Sequence, residues 1–437
     1  MNQLLCGAAE RVITPELGLV IPGYFHQRFA DGVLSDLKAH AIFLNDGQTS
    51  LAIIHLDILD FQASLAKSIR KRLLEKLQIP ASNVLVAATH THTGSPSNYC
   101  GFDEHQLTKM QLKHLIDTIV ETVSDACEAA VPVHARYAFG EETRISFNRN
   151  YLMTDGTIVT NPGKRRPFEV VKPISPIDQT LGVIRFDAEN GTPVAQIVNF
   201  ACHPDTVSGT LYCADYPGEL CRLQQAHYGE DFVTVYLNGA SGNVNHINAE
   251  CYKTPGFEYE KGTHHLYMGK VLSDDVLKLH TRLETIDDIK LTAISKTYRA
   301  VRRQPTDKDM EWVEAVNADD NARIEDRVYA REITDLYRHP KRFANVEIQV
   351  VSIGDCAIAT LPCEAYADIA LKIRKNAPFD KLMISSLTNG TLGYVVTEPA
   401  FSAGVYESRL SKYNSFLPPQ AADEMADCAV ALLKKVY

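Results

Sequence analysis

The stretch Ala88-Thr89-His90-Thr91-His92-Thr93-Gly94-Ser95-Pro96 decides how this chain is read. It follows Val84-Leu85-Val86-Ala87, an apolar run that predicts a short buried strand. In an extended backbone, residues i and i+2 share a face. The His90 and His92 rings are therefore expected to leave the strand end in one direction. Gly94 and Pro96 then end the extended segment. Open α/β sheets collect their ligands beyond the carboxyl ends of the strands. A histidine pair there is a candidate metal or acid/base site. The bland alternative is two polar residues capping a strand, and the other strand ends decide between the two.

Upstream, residues 39–57 read as two strands around the Asn45-Asp46-Gly47 turn. The second, Ser50 to Asp57, is nearly all apolar and is expected to be buried on both faces. Phe61, Leu65, Ile69, Leu73 and Leu77 then recur at helical spacing, and Pro80 stops that helix. A second helix, about 105–130, carries Leu112, Ile116, Ile119 and Val123 on one face. The alternation predicts an α/β fold with mixed parallel and antiparallel sheets covered by helices, its site at strand C-terminal ends.

Downstream, residues 134–165 read as irregular. Strands are expected at 181–187, 193–202, 232–237, 346–353, 356–361 and 382–387. Asp215 and Pro217 mark a helix entry. The small residues of Asn238–Asn245 let backbone approach a neighbour closely. The charge-dense segment 303–343 is expected to form solvated helices at an edge, without chemistry. With no repeat and no Pro/Gly/Ser-rich linker, residues 1–437 read as one domain.

Composition excludes some function classes. The 437 residues are 45% hydrophobic and 22% charged, as in an ordinary globular protein. A formal net charge of -10 argues against nucleic acid and anionic membrane surfaces. No run approaches the roughly 18–20 apolar residues of a membrane span, so no stable membrane insertion is expected. The first residues, Met1 to Gly7, lack a basic leader followed by an apolar run. The 10 cysteines form no CxxC pair, and Cys202, Cys356 and Cys428 sit in apolar runs. A reducing, cytoplasmic setting is expected. Self-association into a homo-oligomer is compatible with all of this.

Five apolar strands end in a polar or glycine-rich element: His90/His92, His203, the 238–245 loop, Glu364, and the segment leading to Tyr394. Two His and one Glu from separate strand ends match catalytic zinc, which takes three protein ligands and keeps a position for water. Zinc lowers the pKa of that water to around 7 and polarises a carbonyl.

Taken in order, these motifs resemble those of the N-terminal catalytic domain of the neutral/alkaline ceramidase family, over almost the whole chain. Ile13-Thr14-Pro15 and Pro22-Gly23-Tyr24 resemble the beginning of such domains. ATHTHTGSP (88–96) resembles the family's zinc motif, THTHSGP, and Phe200-Ala201-Cys202-His203-Pro204 resembles its FAxHP. Leu361-Pro362-Cys363-Glu364 resembles its PGE; Gly393-Tyr394-Val395-Val396-Thr397, followed by Tyr406-Glu407, resembles its YVTT…RYE. The resemblance implies a zinc ion held by His90, His203, Glu364 and Tyr394. It puts His92 and Tyr406 beside substrate and matches Arg149 to the Arg of an NRS motif. It implies hydrolysis of an N-acyl amide bond by a metal-activated water. His92 would be the general acid/base, and Tyr406 or Arg149 would face the oxyanion.

Departures from the family pattern bear on the substrate. Asn245, in Gly242-Asn243-Val244-Asn245, stands where ceramidases have an active-site Ser, and is expected to face a different substrate or to orient it differently. Cys363 replaces a Gly, a packing change. The chain is expected to lack the family's further β-sandwich domain. The enzyme class therefore carries over better than the lipid. The substrate is expected to be a small acylated molecule, with an ester, lactone or acylated sugar as the alternative to a sphingolipid. A non-catalytic protein with a structural metal is the remaining reading.

Other residues receive weaker assignments. His55 reads as a core histidine and Asp57 as a partner for a ligand histidine. Asp215 reads as a helix cap or a base near the metal water. His264-His265 reads as a surface pair. Lys164-Arg165-Arg166 reads as a solvated turn, or as a greeting for an anionic substrate. Ser241 lacks the GxSxG spacing and is rejected as a nucleophile.

Overall fold

The computed structural model describes residues 3–98, 107–254, 257–260, 262–287 and 289–437, with the side chain of Lys164 left out. The larger sheet is built from Leu5–Val12 (β1), Lys38–Asn45 (β2), Ser50–Leu56 (β3), Val84–Ala88 (β4), Val131–Glu141 (β5), Thr180–Ala188 (β6), Pro193–Phe200 (β7) and Val233–Asn238 (β8). Their order is β8-β7-β6-β5-β1-β2-β3-β4, with Glu284–Thr285 added beside β5. The second sheet runs Leu291–Val301 (β9), Phe343–Ile353 (β10), Cys356–Thr360 (β11) and Lys381–Ser385 (β12). The helices of ten or more residues are Ala63–Leu77 (α1), Lys109–Glu128 (α2), Asp215–Tyr228 (α3), His264–His280 (α4), Asp307–Ala318 (α5), Ile324–Arg338 (α6), Ala367–Asn376 (α7) and Gln420–Val436 (α8). Residues 105 and 106 of the expected second helix lie outside the described residues.

Most neighbouring strands pair antiparallel, but β3–β4, β7–β8 and β11–β12 are parallel. A parallel pair needs a crossover, and the crossovers contain α1, α3 and α7 respectively. The three parallel pairs are where the candidate site residues leave the sheets.

Alternate residues of the strands face two ways. Ile42, Ile53, Ile184, Ile197 and Val235 meet Val351, Ile353, Ile358 and Met383 between the sheets. On the outer face of the larger sheet, Val86 and Ala41 pack with Ile69 and Leu73 of α1 and Val123 of α2. Val198 and Tyr236 pack there with Leu220 of α3 and Leu272 of α4. The second sheet covers its other face with Ile369 and Ile373 of α7 and Met425 and Leu433 of α8. The result is helices, sheet, sheet, helices.

Two buried amides join the sheets at their carboxyl ends. Asn199 of β7 donates to Leu237 O (2.7 Å) and Ile384 O (2.8 Å) and accepts from Ile384 N (3.2 Å). Asn389, just past β12, accepts from Val86 N (3.1 Å) and donates its own N–H to Val86 O (2.7 Å). It so covers the free edge of β4, which otherwise offers unpaired backbone groups.

Two expectations need correction. Residues 134–141 are not irregular but belong to an eleven-residue strand, Val131–Glu141, with Val133, Ala135 and Tyr137 turned inward. Pro132, His134 and Arg136 between them hide its apolar alternation. Nor is 303–343 a purely solvated edge. α6 buries Val328, Tyr329, Ile333 and Leu336, and Tyr329 packs against Phe25 with ring centroids 5.6 Å apart.

α6 also buries Glu332, 5% exposed, whose Oε2 accepts no hydrogen bond. Burial pushes its carboxyl from 4.5 up to about 7, against the pull of Arg331 and Lys412. The folded state then holds this proton more tightly than the unfolded state. The stability it contributes is full below about 4.5 and is lost as pH rises to about 7. Glu332→Gln is expected to raise stability at pH 8 by up to about 3 kcal/mol and to change it little at pH 4. Thermal melts of both proteins across that range are the check.

Candidate metal centre and cleft

β4 stops at Ala88, and His90 takes a left-handed backbone, φ 75°. The expected extended register of His90 and His92 therefore fails. Their rings lie 5.0 Å apart and nearly perpendicular, at 86°. Neighbouring chain imposes the turn: Ile58 O accepts from His90 N (3.0 Å) and Leu59 O from His90 Nδ1 (2.8 Å). His203 leaves the end of β7 in the same manner. Val244 O accepts from its N (3.1 Å) and Ser241 O from its Nδ1 (3.0 Å). Glu364–Ala365 and Tyr394–Val395 form a short parallel pair just beyond β11 and β12, with Glu364 opposite Tyr394. Gly242 lies against that pair, where an added Cβ would sit 2.6 Å from Glu364 O.

Four strand ends thereby converge. His90 Nε2 lies 3.1 Å from His203 Nε2 and 3.2 Å from Glu364 Oε2; His203 Nε2 lies 3.5 Å from Glu364 Oε2 and 3.5 Å from the Tyr394 hydroxyl. Each Nδ1 is spent on a backbone carbonyl, so each Nε2 presents a lone pair. Glu364 Oε2 accepts no hydrogen bond. Two lone pairs and a carboxylate oxygen facing one another repel unless a cation lies among them. Tetrahedral zinc with N and O ligands sets its donor atoms about 3.3–3.5 Å apart, so the residues fit that ion. Carbonyl-anchored Nδ1–H groups are also what metal-binding histidines use to fix ring orientation. Burial pushes His203 well below the usual imidazole range, which keeps its Nε2 a bare lone pair.

A cleft of about 330 Å³ opens beside these donors, lined by His92, His203, Arg149, Tyr394, Tyr406 and Asp205 together with the 23–26 loop and residues 324 and 325. His92 points there with neither ring nitrogen hydrogen-bonded. Burial, then His90, lower its pKa to about 3, so it is a neutral imidazole. Arg149 is 5% exposed. Its Nε donates to Glu407 Oε1 at 2.6 Å while its Nη2 has no partner. Glu407 also accepts from Tyr366 OH (2.9 Å) and Asn150 Nδ2 (3.1 Å). Tyr406 packs edge-on to Tyr394, centroids 6.1 Å apart.

Several residues in the cleft or supporting it carry no mark in the sequence. Arg28 Nη2 donates to His92 O (2.7 Å) and Pro22 O (3.1 Å), its Nη1 to Gly209 O (3.0 Å). It clamps three loops at the His92 turn. Asp205, two residues past His203, accepts from His246 Nδ1 at 3.1 Å. Ile324 and Glu325 of α6 line the cleft mouth, so the charge-dense segment does reach the site. Only the HPD adjacency of residues 203–205 hinted at Asp205. Nothing local marked the others.

Other expected residues lie elsewhere. Asn245 does not line the cleft; its Nδ2 donates to Asn161 Oδ1 (3.1 Å) and its Oδ1 accepts from Ile247 N (3.0 Å). Asp57 partners His55 (3.3 Å) and Lys38 N (2.9 Å) rather than His90 or His203. Asp215 holds the 206–207 loop through Thr206 and Val207, not a reacting centre. Ser241 contributes its carbonyl to His203. Arg166 pairs with Asp155 and Glu169, away from the cleft. His264 and His265 are not a surface pair: His265 is 6% exposed and His264 is half-buried. His40, His55 and Cys221 also bring donors within 4.8 Å of one another. There, however, Tyr236 N–H donates to His55 Nδ1 (2.9 Å), which puts the ring proton on Nε2 toward Asp57. That leaves His55 without a lone pair for a metal, and the group is a core hydrogen-bond network.

Because Gly242 meets backbone rather than a flexible side chain, Gly242→Ala is expected to displace the Glu364 strand. It should cost about 1–3 kcal/mol of stability and lower the affinity of the candidate centre for added zinc. Melting curves and zinc titration test this; unchanged values for both would detach Gly242 from the placement of Glu364.

No family model matches the sequence. Among solved structures, the chain is similar to the neutral ceramidase from Pseudomonas aeruginosa, with a TM-score of 0.74 and 17% identity, over 100% of this chain and 75% of that one. It is similar also to a ceramidase complexed with C2, with a TM-score of 0.73 and 16% identity, over 100% of this chain and 76% of that one. The chain carries the fold of the neutral ceramidases over its whole length, in agreement with the order of its sequence motifs.

Proposed function

We propose that this protein is a zinc-dependent hydrolase that cleaves an N-acyl amide bond, with His90, His203, Glu364 and Tyr394 holding the metal. The carrying observation is the convergence of two carbonyl-anchored imidazoles and one carboxylate oxygen at 3.1–3.5 Å. When bound, zinc supplies a water acidic enough to attack near neutral pH and polarises the carbonyl. Burial pushes the Tyr394 phenol well up, and the Arg149 guanidinium beside it opposes that shift and favours the phenolate. His92, neutral and unpaired in the cleft, takes a proton and returns it to the leaving nitrogen. Arg149 Nη2 and the Tyr406 hydroxyl receive the carbonyl oxygen as charge develops there. The buried ion pair to Glu407 keeps Arg149 from swinging into that oxygen's place.

A polar acyl compound is favoured over a two-chain sphingolipid. Asp205, Glu325, His26 and Arg149 all line the cleft, and His246 holds the Asp205 carboxylate below the usual range although burial opposes it. Ester, lactone and acylated-sugar substrates belong to the same reading. A purely structural metal is disfavoured by an imidazole without hydrogen bonds and by the unpartnered Nη2 of Arg149 at the cleft. The apolar cluster shared by both sheets supports one domain, 1–437. The free described cysteines support a reducing, cytoplasmic setting, and among the described residues no helix is long and apolar enough to cross a membrane.

His90→Ala is expected to lose both zinc and turnover. His92→Ala should retain zinc and lower kcat by about 10²–10⁴. Metal analysis beside an N-acyl substrate assay separates the two. Full activity in metal-stripped protein would sink the proposal.

A further inference from the structure

A second cavity has a volume of about 310 Å³, and one hydrogen-bonded side-chain pair links its lining to that of the cleft. Asp205 lines the cleft, its Oδ1 meets His246 Nδ1 at 3.1 Å, and the His246 ring lines the second cavity. The cavity is bounded largely by rings. Phe257 and Tyr259 lie edge to face, centroids 5.0 Å apart. Tyr259 meets His264 at 4.8 Å, and His264 meets His246 at 5.1 Å and Tyr267 at 5.7 Å. Such contacts hold the ring planes in fixed relation. Tyr259 is anchored further, its hydroxyl accepting from Asn248 N at 2.7 Å. Burial, then His246, lower the His264 pKa to about 4, so it serves as an uncharged aromatic wall. Tyr267 is 53% exposed, and Asn248 and Glu260 add polar groups to the lining.

Flat apolar faces beside hydrogen-bonding groups suit a ring that is apolar on its faces and hydroxylated around its edge. An alkyl chain would leave Asn248 and Glu260 unused.

We propose that the aromatic cavity is a subsite for a pyranose ring, and that the substrate is an N-acylated amino sugar bearing a second sugar ring. The ring with the N-acyl group occupies the cleft, and its neighbour passes the Asp205–His246 pair to reach the aromatic walls. The inference rests on the amide-hydrolase reading. In that reaction the carbonyl–nitrogen bond breaks. Water supplies the hydroxyl that completes the carboxylic acid and the proton that leaves with the amine.

The test compares N-acetylglucosamine with N,N′-diacetylchitobiose as substrates of the zinc-loaded protein, by release of acetate. The two-ring compound is expected to have a kcat/KM about five- to tenfold higher. In Tyr267→Ala, whose exposed side chain is not needed for folding, that ratio should fall to about one with zinc content retained. A wild-type ratio of one, or a ratio that survives Tyr267→Ala, overturns the subsite. Hydrolysis of ceramide with neither sugar cleaved also overturns it, while leaving the amide reading standing. Should no N-acyl compound be cleaved at all, the amide reading fails instead. Saturation-transfer NMR of chitobiose then decides the subsite. Binding lost in Tyr267→Ala supports it, and no binding to the wild type overturns it.

Discussion

The buried amide of Asn199 is the interaction on which the rest of the site depends. It pairs with both backbone groups of Ile384 across the gap between the sheets while also holding Leu237 O. All three bonds lie in the core, where an unpaired polar group costs about 1–3 kcal/mol. The sheets are thus tied at one level, and Asn389 repeats the device at the edge of β4. An apolar interface alone would let two sheets slide or rotate, because apolar contact is not directional. The two amides make the carboxyl ends of β4, β7, β11 and β12 meet at one place.

What meets there is electrostatically costly. His90 accepts a left-handed backbone, and two imidazole lone pairs face a carboxylate oxygen in the dry interior. Strain and repulsion of this kind persist only where the surroundings over-determine them, and here Ile58, Leu59, Ser241 and Val244 supply the backbone partners. A bound cation turns the repulsion into attraction, so metal affinity and fold stability are linked. The Arg149–Glu407 pair works similarly on the substrate side. Two buried charges compensate each other and leave one guanidinium nitrogen for the cleft.

The two buried histidine clusters show how little of this depends on residue type. His40 and His55 stack at 4.2 Å, about as close as His90 and His203 at 4.5 Å. Both clusters have an acidic neighbour. The difference is the partner of Nδ1. A backbone carbonyl at His90 and His203 leaves Nε2 bare, whereas a backbone N–H at His55 forces the proton onto Nε2. One hydrogen bond of opposite polarity separates a candidate metal-binding group from a core network.

By itself the sequence determined where most strands and helices lie, because apolar periodicity reports burial directly, as in residues 50–56, 63–77 and 193–200. It also determined which strand ends carry His90, His203, Glu364 and Tyr394, and the motif order pointed to a fold that the structure bears out. It did not disclose β5, whose inward Val133, Ala135 and Tyr137 are interrupted by Pro, His and Arg. Only the tertiary structure decided the rest. The turn at His90 is imposed by Ile58 and Leu59. The side chain of Asn245 is claimed by Asn161, and Asp57 by His55. Glu325 reaches the cleft, and Arg28 the His92 turn, from segments with no local signature. Lone-pair direction and close contact are properties of groups distant in the chain, and no spacing within one segment encodes them.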